Sequence, residues 1–211
     1  MGRLYDEVED GLRDWLGAQP LFFVATAPTD LDGHLNLSPK GGTGTFRVMG
    51  PTTVAYLDLV GSGIETVAHL RENGRIVLMF CAFSGPPKIV RLHGRGRVVP
   101  SDEPEFASLL ETFAPNDDVT ALARSIVVVE VERIADSCGF VVPRMEYAGD
   151  RDQLIRWSEH RREQHGEGWK DAYLAANNAT SIDGLAALDI QSPEGAGDVE
   201  HAALSSAGTA L

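Results

Sequence analysis

Near the start of the chain, Leu4, Val8, Leu12 and Leu16 recur every four residues, with Trp15 beside them. That spacing predicts a short amphipathic helix, ended by Gly17 and Pro20. Leu21–Ala27 is a continuous apolar run of strand length. Asp30-Leu31-Asp32-Gly33 then reads as a turn, and His34–Ser38 alternates polar with apolar, so a hairpin is expected. Thr53–Leu59 is a further strand, followed by Gly61-Ser62-Gly63 and a helical stretch, Ile64–Asn73, closed by Gly74. Arg75–Phe83 and Lys88–Val99 read as strands around the turn Ser84-Gly85-Pro86-Pro87. Ser101–Phe113 reads as a helix capped by Ser101. Ser125–Arg133 is a strand with Val127, Val129 and Val131 on one face and Glu130 and Glu132 on the other. Asp150–Ala176 reads as two helices, interrupted near Gly166-Glu167-Gly168.

The count is about six strands with short links and one helix inserted before the fourth. Strict strand–helix alternation is absent, which argues against a doubly wound parallel sheet and for an antiparallel barrel or sandwich. Residues 1–190 are read as a single domain with a C-terminal helical extension. Residues 191–211, rich in Ala, Gly and Ser, are expected to be a disordered tail.

Of the 211 residues, 43% are hydrophobic, enough for a sizeable core, and no apolar stretch approaches membrane-spanning length. The stretch MGRLYDEVEDGLRDW has no apolar signal core, and Asp6 breaks the myristoylation pattern. The expectation is a soluble cytoplasmic protein. The net charge of −13 argues against nucleic-acid or anionic-membrane partners. Its distribution is uneven. Residues 34–100 carry eight basic side chains (Lys40, Arg47, Arg71, Arg75, Lys88, Arg91, Arg95, Arg97) against three acidic ones. A local excess of this kind suits an anionic ligand.

Several segments could carry chemistry. Ser62-Gly63-Ile64-Glu65 fits a capping box, with Ser62 capping residue 65 and Glu65 reaching back. The flanking glycines leave that helix N-terminus open to a group such as a phosphate. Gly41-Gly42-Thr43-Gly44 is not followed by a helix, so a dinucleotide fingerprint is not supported. Gly94 and Gly96 inside a strand suggest tight curvature or close approach of another backbone. The six histidines lack metal-ligand spacing, and two cysteines make neither a disulfide framework nor a zinc site, so no metal is expected. Cys138 reads as a buried small hydrophobe, with a nucleophile beside a histidine as the alternative.

Taken in order, these segments resemble the pyridoxamine 5′-phosphate oxidase-like family of FMN-binding split barrels. The likeness is carried by His34–Gly41, Val54–Leu59, Gly61–Leu70, Glu72–Phe83 and Arg91–Gly96, and it spans roughly residues 5–135. Ser137–Phe140 and Asn178–Leu185 look like one branch of that family. The resemblance implies a mainly β protein with flanking helices, built on a six-stranded antiparallel split β-barrel. It implies a homodimer with two FMN sites at its interface. Asn36, Leu37, Ser38, Pro39 and Lys40 would lie along the isoalloxazine edge, and Leu57, Asp58, Ser62, Gly63, Glu65 and Thr66 would hold ribityl and phosphate. Lys88 or Arg91 would approach from the partner subunit. Where the oxidase proper has Ser-Arg-Lys near the phosphate, this chain reads Ile64-Glu65-Thr66. The phosphate would then rest on helix amides, Ser62, Thr66 and a cation from elsewhere, Lys40 or Arg75. Leu57, Leu78, Phe80 and Phe83 offer an apolar wall for the ring, or core packing.

The function implied is an FMN-dependent oxidoreductase moving hydride between the flavin and a small organic substrate or nicotinamide. Lys40 would stabilise negative charge on the reduced ring. The alternatives are a deazaflavin-dependent reductase of the same fold and a flavin-binding carrier without turnover.

Overall fold

The computed structural model describes residues 2–113 and 115–189. In chain order the elements are β1 (Leu4–Tyr5), α1 (Asp10–Gly17), β2 (Leu21–Thr26), β3 (Asn36–Gly41), β4 (Phe46–Val48), β5 (Thr53–Leu59) and α2 (Glu65–Asn73). They continue with β6 (Arg75–Cys81), β7 (Lys88–Pro100), α3 (Pro104–Leu110), α4 (Asp117–Ala121), β8 (Ala123–Cys138), α5 (Gln153–His165) and α6 (Trp169–Asn177).

One antiparallel sheet runs in the order β3-β2-β6-β7-β8-β5-β4, with β1 added to β8. Its two end strands, β3 and β4, are consecutive in the chain and joined by a turn in which Gly42 and Gly44 take positive φ. The sheet therefore curls back on itself without a ladder across the gap, as a split barrel does. The interior confirms the curl. Phe22 on β2 stacks on Phe80 of β6 and meets Phe46 of β4 and Tyr56 of β5, with ring centroids 5.1–5.5 Å apart. Alternation explains which residues reach this core: Phe22 and Val24, Leu78 and Phe80, Val90 and Leu92, and Val127 and Val129 share it. The first half of β8 is buried on both faces, since Ile126 and Val128 pack under α3 and Phe113.

The six expected strands are all present, and two short ones join them. Leu4 is not helical. It pairs with Ala135 as part of β1, where the Arg3 amide and the Tyr5 hydroxyl donate to the two carboxylate oxygens of Asp136, each at 2.6 Å. The helix begins only at Asp10. β3 starts at Asn36, because His34 is held instead by Asp183. Ser101 caps nothing; the next helix opens at Pro104 behind Glu103, as the fixed φ of proline favours at a first helical position. Cys138 is exposed rather than buried, and Cys81 is the buried thiol. The expected tail, 191–211, lies outside the described residues.

Beyond α6 the chain forms a strap over α2. Thr180 bridges Ala186, and the Ser181 hydroxyl accepts from the amides of Asp183 and Leu185. Ala187 and Leu188 pack on Ile64, Val67 and Ala68. Arg71 of α2 donates to the Ala187 carbonyl and to Asp189. No helix among the described residues is long and apolar enough to cross a membrane.

Candidate functional site

The strand β5 ends at Leu59, and the loop Val60–Ile64 carries the chain into α2. Ser62 and Gly63 are exposed, whereas Ile64 and Thr66 are buried. The first backbone bond of the helix runs from Ala68 to the Ile64 carbonyl, so the amides of Glu65, Thr66 and Val67 precede the ladder. Among the described residues, the amides of Gly61, Ser62 and Gly63 have no hydrogen-bond partner. This end of α2 gathers donors and the positive end of the helix dipole.

The capping box does not form. Ile64 stands at the N-cap and no side chain caps the first turn. The Glu65 carboxylate instead accepts the Ile64 amide at 3.0 Å. Ser62 is exposed on the loop, and its hydroxyl makes no bond to the helix.

Behind the loop lies a buried ionic cluster. Asp58 is fully buried. Its carboxylate accepts from Lys40 at 2.8 Å, from Arg124 at 2.7 Å and from Ser125 at 3.3 Å. Burial alone would raise the Asp58 carboxyl, but Arg124 and then Lys40 outweigh it and hold it well below the usual carboxylate range. Arg124 also donates to the carbonyls of Gly61 at 2.9 Å and Gly63 at 2.6 Å, and to the Asn178 side-chain oxygen at 2.7 Å. Asn178, at the root of the strap, donates to the carbonyls of Gly61 and Ser62.

A second polar group faces α2 from β2 and β3. The Asn36 amide donates to the hydroxyls of Thr26 and Thr66, at 3.1 and 2.9 Å, and Ser38 donates to the Asn36 oxygen. Thr26 in turn contacts His69 Nδ1 at 3.0 Å. His69 Nε2 is buried and has no partner among the described residues. Burial lowers the His69 pKa, opposed by Asp183, Glu65 and Glu72.

The residues expected in the site fall into four places. Asn36, Ser38, Glu65 and Thr66 converge with Ser62 and Gly63 around the start of α2. Leu37 and Pro39 lie on the exposed side of β3, whereas Leu57 and Asp58 are buried beneath the loop. Arg91, with Lys88, stands at the opposite end of the barrel, since Lys88 pairs with Cys138 and Pro100 with Ser125. There Trp15, Pro86, Pro87, Lys88, Asp136, Cys138 and Phe140 line a cavity of about 650 Å³. The Lys88 ammonium sits 5.0 Å from the Trp15 ring centroid. The two cations expected beside the loop are engaged elsewhere: Lys40 with Asp58, and Arg75 with Asn73 and the Pro28 carbonyl. Leu78 and Phe80 face the barrel interior and offer no outer wall. Among the described residues no cluster of His, Cys, Asp or Glu could hold a metal ion.

Arg124, Asn178, Thr26 and His69 were not singled out from sequence. Arg124 did leave a signal, the one charged residue in the stretch Ala123–Val129 that opens β8. Asn178 left one only as part of the segment Asn178–Leu185.

The family model described as pyridoxamine 5′-phosphate oxidase matches residues 8–138. A curated relative, the pyridoxamine 5′-phosphate oxidase family protein ustO of Aspergillus flavus, is 36% identical over 197 residues, covering 87% of this chain and 77% of its own. Among solved structures, an FMN-binding protein from Syntrophomonas wolfei is 12% identical, with a TM-score of 0.45 over 59% of this chain and 80% of that one. The FAD binding protein from Mycobacterium smegmatis is 17% identical, with a TM-score of 0.41 over 63% of this chain and 97% of that one.

Proposed function

The chain belongs to the pyridoxamine 5′-phosphate oxidase family, and from that premise we propose that it binds FMN and works as a flavin-dependent oxidoreductase on a small organic substrate or nicotinamide. The observation that carries this reading is the loop before α2. It presents unpartnered amides at a helix N-terminus while its carbonyls are bonded from behind. That donor set fits a phosphate.

In this reading the amides of Ser62, Gly63, Glu65 and Thr66 and the hydroxyls of Ser62 and Thr66 hold the phosphate. Leu57 and Asp58 shape the floor of the loop. Residues Asn36 to Lys40 line the ring edge, with Asn36 fixed by Thr26 and Thr66. When bound, the flavin supplies hydride transfer, and the protein supplies binding and orientation. Lys40 lies 2.8 Å from Asp58 and shares that single carboxylate with Arg124, so its ammonium is already engaged before any ligand arrives. We assign it to orientation of the β3 edge. The exposed Leu35 just before β3, Leu37 on β3, and Phe140 and Val141 after β8 favour a homodimer that covers them. The balance of charge and the absence of a spanning helix among the described residues suit the cytoplasm.

The test is the visible spectrum of the purified protein, with mass identification of any released cofactor. Flavin absorbance, bleached on adding NADH or NADPH, is the expected result. A yellow protein that no donor reduces would make it a carrier. A colourless protein that takes up a deazaflavin but not FMN would move it to the deazaflavin-dependent reductases.

A further inference from the structure

A trans peptide is planar, so each carbonyl points opposite to the amide that follows it. In the loop before α2 the carbonyls of Gly61, Ser62 and Gly63 are all bonded on one side. Arg124 takes Gly61 and Gly63, and Asn178 takes Gly61 and Ser62. The amides of Ser62, Gly63 and Ile64 are therefore driven to the other side. There the Ile64 amide meets a carboxylate, that of Glu65, which shows the side an anion takes. His69, in the middle of α2 on the same face as Thr66, is joined to it through Thr26 and Asn36, and among the described residues its buried Nε2 has no partner.

We propose that Arg124 and Asn178 are positioning residues of the ligand site: they hold the Gly61-Ser62-Gly63 carbonyls inward so that the loop amides stay turned toward a phosphate group. The strap that begins at Asn178 is then a working part of the site, although it lies beyond the stretch 8–138 matched by the family model. Neither residue touches the ligand. Arg124 is pinned by Asp58, and Asn178 is pinned by Arg124 and by the fold of the strap, whose Leu188 amide returns to the Asn178 carbonyl. The loop thus has a rigid back, and at its front the Ile64 amide is engaged by Glu65 while the amides of Ser62 and Gly63 stay free among the described residues. The proposal rests on the flavin reading for the identity of the ligand, but not for the orientation of the loop.

The experiment compares FMN with riboflavin, which lacks the phosphate, on the full-length protein. Affinities are measured by flavin fluorescence for the wild type, Asn178→Ala and Arg124→Lys, with thermal unfolding as the check on folding. Arg124→Lys keeps the charge and removes the fork that spans two carbonyls. Both variants should lose about tenfold in FMN affinity while riboflavin changes less than about twofold. Equal losses for both flavins, or none, would overturn the proposal and leave the flavin reading intact. In parallel, inorganic phosphate is titrated into the isotopically labelled wild type. The amide signals of Ser62 and Gly63 should shift, and in Arg124→Lys they should not. If the wild type binds neither flavin, the flavin reading fails. The phosphate titration then decides alone, even where a variant is too unstable to assay: no shift at those two amides in the wild type overturns the proposal.

Discussion

At the scale of single residues, His69 makes a prediction with a definite sign. Burial holds its pKa below the ordinary value of about 6.5. As pH falls through about 6.5, the unfolded chain takes up a proton that the folded chain refuses, so stability falls until the folded pKa is passed. His93 adds to the same trend, lowered by burial and then by Arg133 and Arg91. The carboxylates Asp58, Asp136, Asp150 and Asp183 all have depressed folded values. Their contribution is present above an unfolded pKa of about 3.9 and is lost only below it. The window between pH 7 and pH 5 therefore belongs mainly to the two histidines. The urea midpoint should fall between pH 7 and pH 5, and in His69→Gln it should fall less. Equal drops in the two proteins would refute the assignment. The same residue shows what sequence could not supply. Asn36, Ser62, Glu65 and Thr66 were named through the family resemblance, whose segments His34–Gly41 and Gly61–Leu70 contain them. Thr26 and His69 come from two elements that meet only after the barrel closes, so no spacing announces them.

At the scale of elements, alternation marked His34–Ser38 and Ser125–Arg133, whereas β2 was read from a continuous apolar run of strand length. β1 and β4, of two and three residues, are too short to alternate. The four-residue spacing that began at Leu4 misled for a physical reason. A strand residue and a helix residue fell by chance on one helical period, and pairing with β8 decided between them. The glycines of β7 were legible in kind. The register with β8 shifts between His93 and Gly94, and a methyl group on Gly94 would run into the Glu130 backbone. On Gly96 it would meet the Leu70 side-chain tip at 2.9 Å, which can move. Gly94→Ala should therefore cost about 2–3 kcal/mol and Gly96→Ala clearly less, read by chemical denaturation. The reverse order would show that the β7–β8 bulge has slack.

At the scale of the whole molecule, the cationic block 34–100 changes meaning once folded. Arg71, Arg95 and Arg97 pair with Asp189, Glu132 and Glu105, all from outside the block, and Lys40 pairs with Asp58. These pairs neutralise much of the excess, so positive potential at the loop comes from backbone amides and Arg124 rather than from the block. Lys88 and Arg91 have no carboxylate partner among the described residues, yet they sit at the far end of β7. Its 13 residues span about 40 Å when extended. Within one chain they cannot serve the loop at Gly61–Gly63; in a dimer a second copy could bring them there. That arrangement is testable by mixing two defective proteins. Arg124→Lys damages the loop, and Lys88→Glu with Arg91→Glu damages the donated end, so each homodimer should bind FMN poorly. Unfolding and refolding them together makes mixed dimers, half the population, in which one site of the two receives an intact loop and an intact partner end. FMN binding should return to about a quarter of the sites. Normal FMN binding by the Lys88→Glu, Arg91→Glu homodimer itself would place Lys88 and Arg91 outside the site and leave the cavity beside Trp15 as a separate feature of the molecule.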